Sequence, residues 1–323
     1  MDNKEKLDLI RRNAEEIISE QELKSLLKKK KNLVTYCGYE VSGEIHLGHL
    51  VTMTKLLDLQ KAGVKVIILF ADWHTWLNKK GDWDFIHNQI KVWEKAFRAA
   101  GLSKAKFVLG SSFQRDIKYI DDVLRMSLKT TINRALRSMQ VVARDIDHAR
   151  VSQVVYPFMQ LVDIKHLKVD LVTAGMDQRK IHMLGVDGMF KEVDYKTPIF
   201  IHTSIIPSLK GSGGKMASSD PTSLISITDS SKIIKEKINK AYCVLGEVKD
   251  NPILSILKLI IFPRISSFVI KRDERYGGDL TFENYECLEE KFKSKEIHPQ
   301  DLKNSVSDYL IEVLVPIKKY FKK

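Results

Sequence analysis

Short apolar runs alternate along the chain with stretches in which apolar residues recur every three or four positions. Runs of four to eight apolar residues bounded by turn residues read as buried strands, and the longer period reads as helices laid against them. Segments 33–38, 64–71, 105–109, 169–174 and 198–206 are the strand candidates, with helical patterns between them. The first unit is a strand at 33–38, a turn rich in Ser and Gly, a helix beginning near His46 and a strand at 64–71. That is a β-α-β unit with a right-handed crossover. Repetition of the pattern predicts an α/β fold, a Rossmann-like doubly wound parallel sheet. After Lys210-Gly211-Ser212-Gly213-Gly214 the character changes, and from about Thr222 the segments are amphipathic, lysine-rich and helical with no further strand repeat. The expected organisation is therefore an α/β domain over 1–225 and a helical domain over 226–323. Near the start, Ser19-Glu20-Gln21-Glu22 predicts a capping box opening a short helix that ends in lysines 28–31.

Composition narrows the class. With 323 residues, 44% hydrophobic and 29% charged, the chain can bury a sizeable core, which excludes wholesale disorder. No apolar run approaches the roughly 18–20 residues that span a bilayer, and residues 1–6 hold no apolar signal core. Three cysteines, Cys37, Cys243 and Cys287, lack metal spacing and cannot all pair, so no zinc site or disulfide framework is expected. A cytoplasmic protein of a reducing compartment with no bound metal is expected. The net charge of +12 favours a polyanionic partner, a nucleic acid or a nucleotide, over a merely basic surface.

Two segments carry candidate chemistry. His46-Leu47-Gly48-His49 stands at a helix start after a strand, with both histidines on one helical face and a glycine between them. A helix N-terminus with free N–H groups suits an anion, and doubly wound sheets bind nucleotides at strand carboxyl ends. The competing reading is a surface helix with two incidental histidines. Lys215-Met216-Ala217-Ser218-Ser219 follows a glycine-rich hinge, where a lysine beside two hydroxyls can close over a polyphosphate; the competing reading is a basic surface loop. A third signal is the stripe Tyr156, Gln160 and Asp163 at i, i+4 and i+7 of an otherwise apolar helix. Such polar groups need partners, supplied either by neighbouring backbone or by a ligand.

Together, in this order and roughly 170 residues apart, the first two segments resemble the HIGH and KMSKS signatures of the class I aminoacyl-tRNA synthetases. The resemblance sharpens to the tyrosyl-tRNA synthetases of archaeal and eukaryotic type through collinear segments spanning almost the whole chain. They are Tyr36-Cys37-Gly38-Tyr39-Glu40, Ala71-Asp72-Trp73-His74, Tyr156-Pro157-Phe158-Met159-Gln160-Leu161-Val162-Asp163-Ile164, Gly175-Met176-Asp177-Gln178-Arg179-Lys180-Ile181-His182 and His298-Pro299-Gln300-Asp301-Leu302-Lys303-Asn304. One departure is Ala217, where the family usually carries serine or another polar residue.

The resemblance implies a tyrosine–tRNA ligase: L-tyrosine and ATP give tyrosyl-adenylate, and the tyrosyl group passes to the 3′ end of tRNA(Tyr). It implies His46, His49 and Lys215 as catalytic residues, with Gly38, Gly48, Asp177, Lys215 and Ser218 on ATP and magnesium arriving with the triphosphate. Tyr36 and Asp163 would bind the phenol, and Tyr156, Gln160 and Gln178 the α-amino group, with His182 and His74 in support. Phenylalanine would leave Asp163 and Tyr36 without a partner. Arg137 and Arg179 match positions near the acceptor stem, and Tyr276, His298 and Asp301 match anticodon-reading positions, making the helical domain an anticodon-binding one. The family is generally a homodimer with its contact in an inserted helical stretch at about 110–150. Two alternatives remain at this stage: a tryptophanyl-tRNA synthetase, which shares the signatures, and a synthetase-like RNA-binding protein that has lost catalysis.

Overall fold

A computed structural model describes residues 1–142, 148–211, 214–217 and 220–321. Contacts divide the chain into two compact units, Met1–Ser42 with Lys55–Glu94 and Gly101–Thr203, and Gly43–Thr54 with Lys95–Ala100 and Ser204–Lys323.

The first unit is built on six strands: β1 (Ala14–Ile18), β2 (Val34–Tyr39), β3 (Lys65–Phe70), β4 (Lys106–Leu109), β5 (Leu171–Gly175) and β6 (Ile199–Thr203). They lie in the order β1-β6-β5-β2-β3-β4, with β1 antiparallel to β6 and the other pairings parallel. The strand order reverses between β2 and β5, which makes their carboxyl ends the switch point where such sheets bind ligands. The helices over this part of the chain are α1 (Asn3–Arg11), α2 (Glu20–Lys29), α3 (Leu47–Lys61), α4 (Asp72–Leu77), α5 (Trp83–Phe97), α6 (Ile117–Leu128), α7 (Ile132–Met139), α8 (Val151–His166) and α9 (Arg179–Val186), of which residues 47–54 of α3 and 95–97 of α5 belong to the second unit. One core cluster holds Phe158, Leu161, Val162 and Ile164 of α8, Tyr119, Val123 and Met126 of α6, and Tyr36, Leu69, Val172 and Phe200 of the strands. Full burial of each large apolar side chain stabilises by roughly 1.5–3 kcal/mol, so α8 is held by one face while the other is left for polar residues.

The five parallel strands fall within three residues of the expected segments. Two features depart from expectation. At the start of α2, Ser19 has φ 67° and ψ 45° and makes no side-chain cap hydrogen bond, so the expected capping box does not form. A cap needs extended backbone to aim its hydroxyl at the first turn, and Ser19 is spent on the sharp turn out of β1. The helix still ends on Lys28 and Lys29, as expected. Strand β1 itself was not foreseen, because Ala14-Glu15-Glu16 is acidic and lies at the sheet edge.

The second unit carries α10 (Ser231–Lys240), α11 (Pro252–Ile256), α12 (Tyr285–Lys293) and α13 (Pro299–Phe321). Three of these four helix starts have a local reason: Ser230 accepts from the Ile233 N–H, Asn251 from Ile253 and Leu254, and Asn284 from Cys287. A two-stranded antiparallel ribbon, β7 (Phe268–Ile270) and β8 (Leu280–Phe282), interrupts the helices. Sequence reading put no strand here; three-residue strands are too short for an alternation to register. No described helix is long and apolar enough to cross a membrane.

Candidate active site

A cavity opens at the carboxyl ends of the first unit's parallel strands. Its walls are Tyr36, Gly38 and Glu40 from β2 and the residue beyond it, Leu69 and Ala71 at the end of β3, and His74 from α4. Tyr156, Gln160 and Asp163 of α8 and Gln178 of the turn after β5 complete it. The i, i+4, i+7 stripe thus faces a cavity, with Tyr36 and Gln178 brought to it from elsewhere in the chain.

Asp163 is buried in its wall. Its Oδ1 accepts from Gln114 Nε2 at 2.8 Å and from the Tyr119 hydroxyl at 2.8 Å, whereas Oδ2 is buried without a hydrogen-bond partner among the described residues. Burial pushes its pKa up to about 8, against the two donors, and the Asp72 carboxyl adds to the rise. Burial likewise holds the Tyr36 phenol well above its ordinary pKa, helped by the Asp163 charge, so Tyr36 remains a hydroxyl. His74 Nε2 is 3.8 Å from Asp163 Oδ2. Burial takes this imidazole down to about pKa 3, so it is neutral, and at that distance it forms neither an ion pair nor a hydrogen bond. The ring stands edge-on to Tyr156 with centroids 4.5 Å apart. Glu40, at the rim, accepts from Asn78 Nδ2 at 2.9 Å and pairs with Lys80.

Asp177 sits in the 3-10 turn after β5. A Cβ on Gly175 would lie 2.6 Å from Asp177 Oδ1, so this glycine lets the carboxylate fold back over the strand end.

The second unit holds the histidine segment and Lys215. His46 precedes α3, and its Nδ1 accepts from the Gly48 N–H at 3.1 Å; His49 Nδ1 accepts from the His46 N–H at 3.2 Å. The two rings lie with centroids 4.1 Å apart. This is a capping box in which imidazoles replace the usual hydroxyl and carboxylate. A Cβ on Gly48 would meet the His46 ring at 2.8 Å, so the space above the glycine is filled by that imidazole. Burial holds His46 down to about pKa 4, with the Lys215 ammonium lowering it further. A neutral ring whose Nδ1 accepts carries its hydrogen on Nε2, a donor without charge. Residues 225–227 pair with the histidine segment: the Leu47 N–H donates to the Ile225 carbonyl at 3.1 Å and the Ile227 N–H to the Ile45 carbonyl at 3.0 Å. Lys215 is exposed on a bridge to Pro207, and Met216 beside it is buried. Ser218 lies outside the described residues, as do Ser212, Gly213 and Ser219.

The positions matched to RNA contacts are placed variously. Arg137 is exposed on α7. Arg179 is engaged, donating to both Glu16 oxygens at 2.7 and 2.8 Å. Tyr276 is 70% exposed before Gly277, whose φ of 92° turns the chain away. His298 is exposed directly before α13, with its Nδ1 accepting from the Gln300 N–H at 3.2 Å, and Asp301 falls in the helix's first turn.

Sequence reasoning missed Gln114 and Tyr119, the two donors that fix Asp163. A signal existed: Tyr119, Val123 and Met126 repeat at helical spacing, so Tyr119 faced the core with a hydroxyl in need of a partner. Among the described residues no three His, Cys, Asp or Glu side chains gather to hold a metal ion.

Residues 28–315 match the family model of the class I tRNA synthetases for tryptophan and tyrosine (W and Y). The chain is 46% identical to the tyrosine–tRNA ligase of Methanosarcina barkeri over 317 residues, covering 98% of this chain and 99% of the relative. It is 47% identical to that of Archaeoglobus fulgidus over 321 residues, covering 99% and 98%. A crystal structure of the Archaeoglobus fulgidus tyrosyl-tRNA synthetase complexed with L-tyrosine superposes with a TM-score of 0.95 at 47% identity, over 99% of each chain. These relatives lend no support to the tryptophan or RNA-binding alternatives. The chain belongs to the class I tRNA synthetases of the tryptophan and tyrosine group and, within it, to the tyrosine–tRNA ligases.

Proposed function

We propose that the cavity of the first unit binds L-tyrosine, that the histidine segment and Lys215 act on ATP, and that the product is tyrosyl-tRNA. The observation that carries the amino-acid choice is Asp163 Oδ2, a buried carboxyl oxygen with no partner among the described residues, beside the Tyr36 hydroxyl. A phenol at the end of an aromatic ring supplies a hydroxyl where an apolar ring end would leave both groups desolvated. At the other end of the cavity, Tyr156, Gln160 and Gln178 hold the α-ammonium group.

The tyrosine carboxylate is already a nucleophile. It attacks the α-phosphate of ATP, the bond to the β-phosphate oxygen breaks, and pyrophosphate leaves; the terminal ribose hydroxyl of the tRNA then attacks the acyl carbon and AMP leaves. Positioning and charge stabilisation therefore carry the rate. His46 and His49 donate Nε2–H groups to phosphate oxygens, and the Lys215 ammonium stabilises the charge that develops on the triphosphate. Gly38, Gly48, Asp177 and Ser218 complete the ATP set by resemblance. Magnesium enters with ATP as part of the substrate.

ATP–pyrophosphate exchange with each amino acid in turn is the test. Exchange should depend on L-tyrosine, and the absence of tyrosine-dependent exchange would sink the reading.

RNA contacts are assigned to Arg137, Arg179, Tyr276, His298 and Asp301, with a catalytic domain over 1–225 and an anticodon-binding domain over 226–323. The active form is a cytoplasmic homodimer joined through the 110–150 stretch. Supporting this, Ile117, Ile120, Leu124 and Leu128 form an exposed apolar stripe on α6, with Ile117 80% and Leu128 83% exposed, opposite the buried Tyr119, Val123 and Met126. An apolar stripe of this kind marks an interface. Residues 143–147 of the stretch lie outside the described ones. Leu124→Glu should give a monomer by sedimentation equilibrium, and an unchanged dimer would remove α6 from the interface.

A further inference from the structure

Gln160, like Gln178, is a member of the amino-acid set whose orientation is ambiguous in isolation, because an amide presents an oxygen or a nitrogen to the cavity with equal ease. A chain of hydrogen-bonded groups removes the ambiguity. It begins at Glu16 on β1, whose carboxylate is held by Arg179 through Nε at 2.7 Å and Nη2 at 2.8 Å. That pairing, and then the His202 bond, keeps the Glu16 carboxyl below its ordinary pKa, so it is ionised and can only accept.

From there each step is forced. His202 Nδ1 is 3.0 Å from Glu16 Oε2 and must carry the hydrogen. Burial lowers the His202 pKa, and the ring is neutral with a lone pair on Nε2. His182 Nδ1, 2.9 Å from that lone pair, must donate to it. Burial and the neighbouring His202 hold His182 neutral as well, leaving a second lone pair on its Nε2. Gln160 Nε2 lies 3.2 Å from this lone pair and 3.3 Å from Gln178 Oε1, and donates to both. The amide oxygen is what remains, buried and without a partner among the described residues.

We propose that Glu16, His202 and His182 are a positioning relay that fixes the Gln160 amide with its oxygen toward the cavity, as an acceptor for the α-ammonium of the bound amino acid. The proposal rests on the reading of this cavity as the amino-acid site. Reversal of one link reverses all of them, since each neutral imidazole has one donor and one acceptor. A protein needing only to satisfy two buried histidines would not leave a buried amide oxygen over. Glu16 is the part of the relay that can be altered at least risk to folding, being 29% exposed at the edge of the sheet.

The test measures binding of three ligands to the full chain: L-tyrosine, tyramine, which has the ammonium without the carboxylate, and 3-(4-hydroxyphenyl)propionate, which has the carboxylate without the ammonium. Glu16→Ala should weaken L-tyrosine and tyramine about tenfold, the scale of one charge-assisted hydrogen bond. It should leave the propionate within about twofold, and Glu16→Gln, which keeps an acceptor for His202, should restore most of the loss. Equal weakening of all three ligands, or no change in any, overturns the relay. Nitrogen-15 spectra of the histidine-labelled wild type give an independent readout: both rings should carry hydrogen on Nδ1, and hydrogen on Nε2 of His182 overturns the relay even if the variants misfold. Wild-type protein that binds tyramine and the propionate but not L-tyrosine would instead overturn the cavity reading, and the relay with it.

Discussion

The carboxyl of Asp163 is 1% exposed, and its two best partners reach only one of its oxygens. Its folded pKa of about 8 lies above the ordinary 3.8, so between those values the folded protein holds a proton that the unfolded chain has released. Stability from this group is complete below about pH 4 and is lost as pH rises to about 8. Asp163→Asn keeps the acceptor for Gln114 and Tyr119 and cannot ionise. The variant's melting temperature should therefore exceed that of the wild type by a margin that grows from pH 5 to pH 8 and then levels. A margin independent of pH would mean that Asp163 is ionised throughout. The histidines carry the opposite sign. His46 and His74 have folded pKa values of about 4 and 3, below the ordinary 6.5, so their contribution is complete above pH 6.5 and lost as pH falls through those values. Binding adds a separate readout, since Asp163→Ala should lower kcat/KM for tyrosine far more than for phenylalanine.

Among elements, helix α8 and the five parallel strands were legible because burial writes a period into the sequence: two-sided burial gives unbroken apolar runs, and one-sided burial gives the helical stripe on which Tyr156, Gln160 and Asp163 stand out. Strand β1 was not, because its residues are ordered by their partner β6 rather than by a pattern of their own. The relay was hidden for the same reason: Glu16 and His202 are 186 positions apart and meet only through that pairing. Ser19 shows the converse error, a correct motif overruled by the turn it stands in. For the Lys215 segment, Gly211 has φ 93° and a Cβ there would lie 2.6 Å from the Tyr242 ring, so the turn before the lysine requires glycine. Lys215→Ala should slow adenylate formation by about 10²-fold or more, the scale of losing a charge-stabilising donor, with little change in tyrosine affinity. Pre-steady-state adenylation measures this, and an unchanged rate would remove the lysine from the mechanism.

For the molecule as a whole, the net charge of +12 suits a polyanion, but charge alone does not read sequence. Unstacked RNA bases are read by aromatic stacking and base-edge hydrogen bonds, for which Tyr276 and Asp301 are suitable types in exposed or partly exposed positions. Asp301→Ala should leave tyrosine-dependent pyrophosphate exchange intact while weakening aminoacylation by roughly 1–3 kcal/mol and relaxing discrimination at the wobble base. Normal charging with undiminished rejection of wobble variants would make Asp301 an ordinary surface carboxylate.

The bidentate grip of Arg179 on Glu16 has a thermodynamic corollary. Arg179 is also the position that the family resemblance sets beside the acceptor stem, and a guanidinium drawn toward an RNA phosphate leaves the Glu16 carboxylate with one partner fewer. Any change this makes in the affinity for tyrosine must be returned, by the same factor, as a change in the affinity for tRNA. Two titrations, each ligand in the absence and the presence of the other, read one coupling constant from opposite ends.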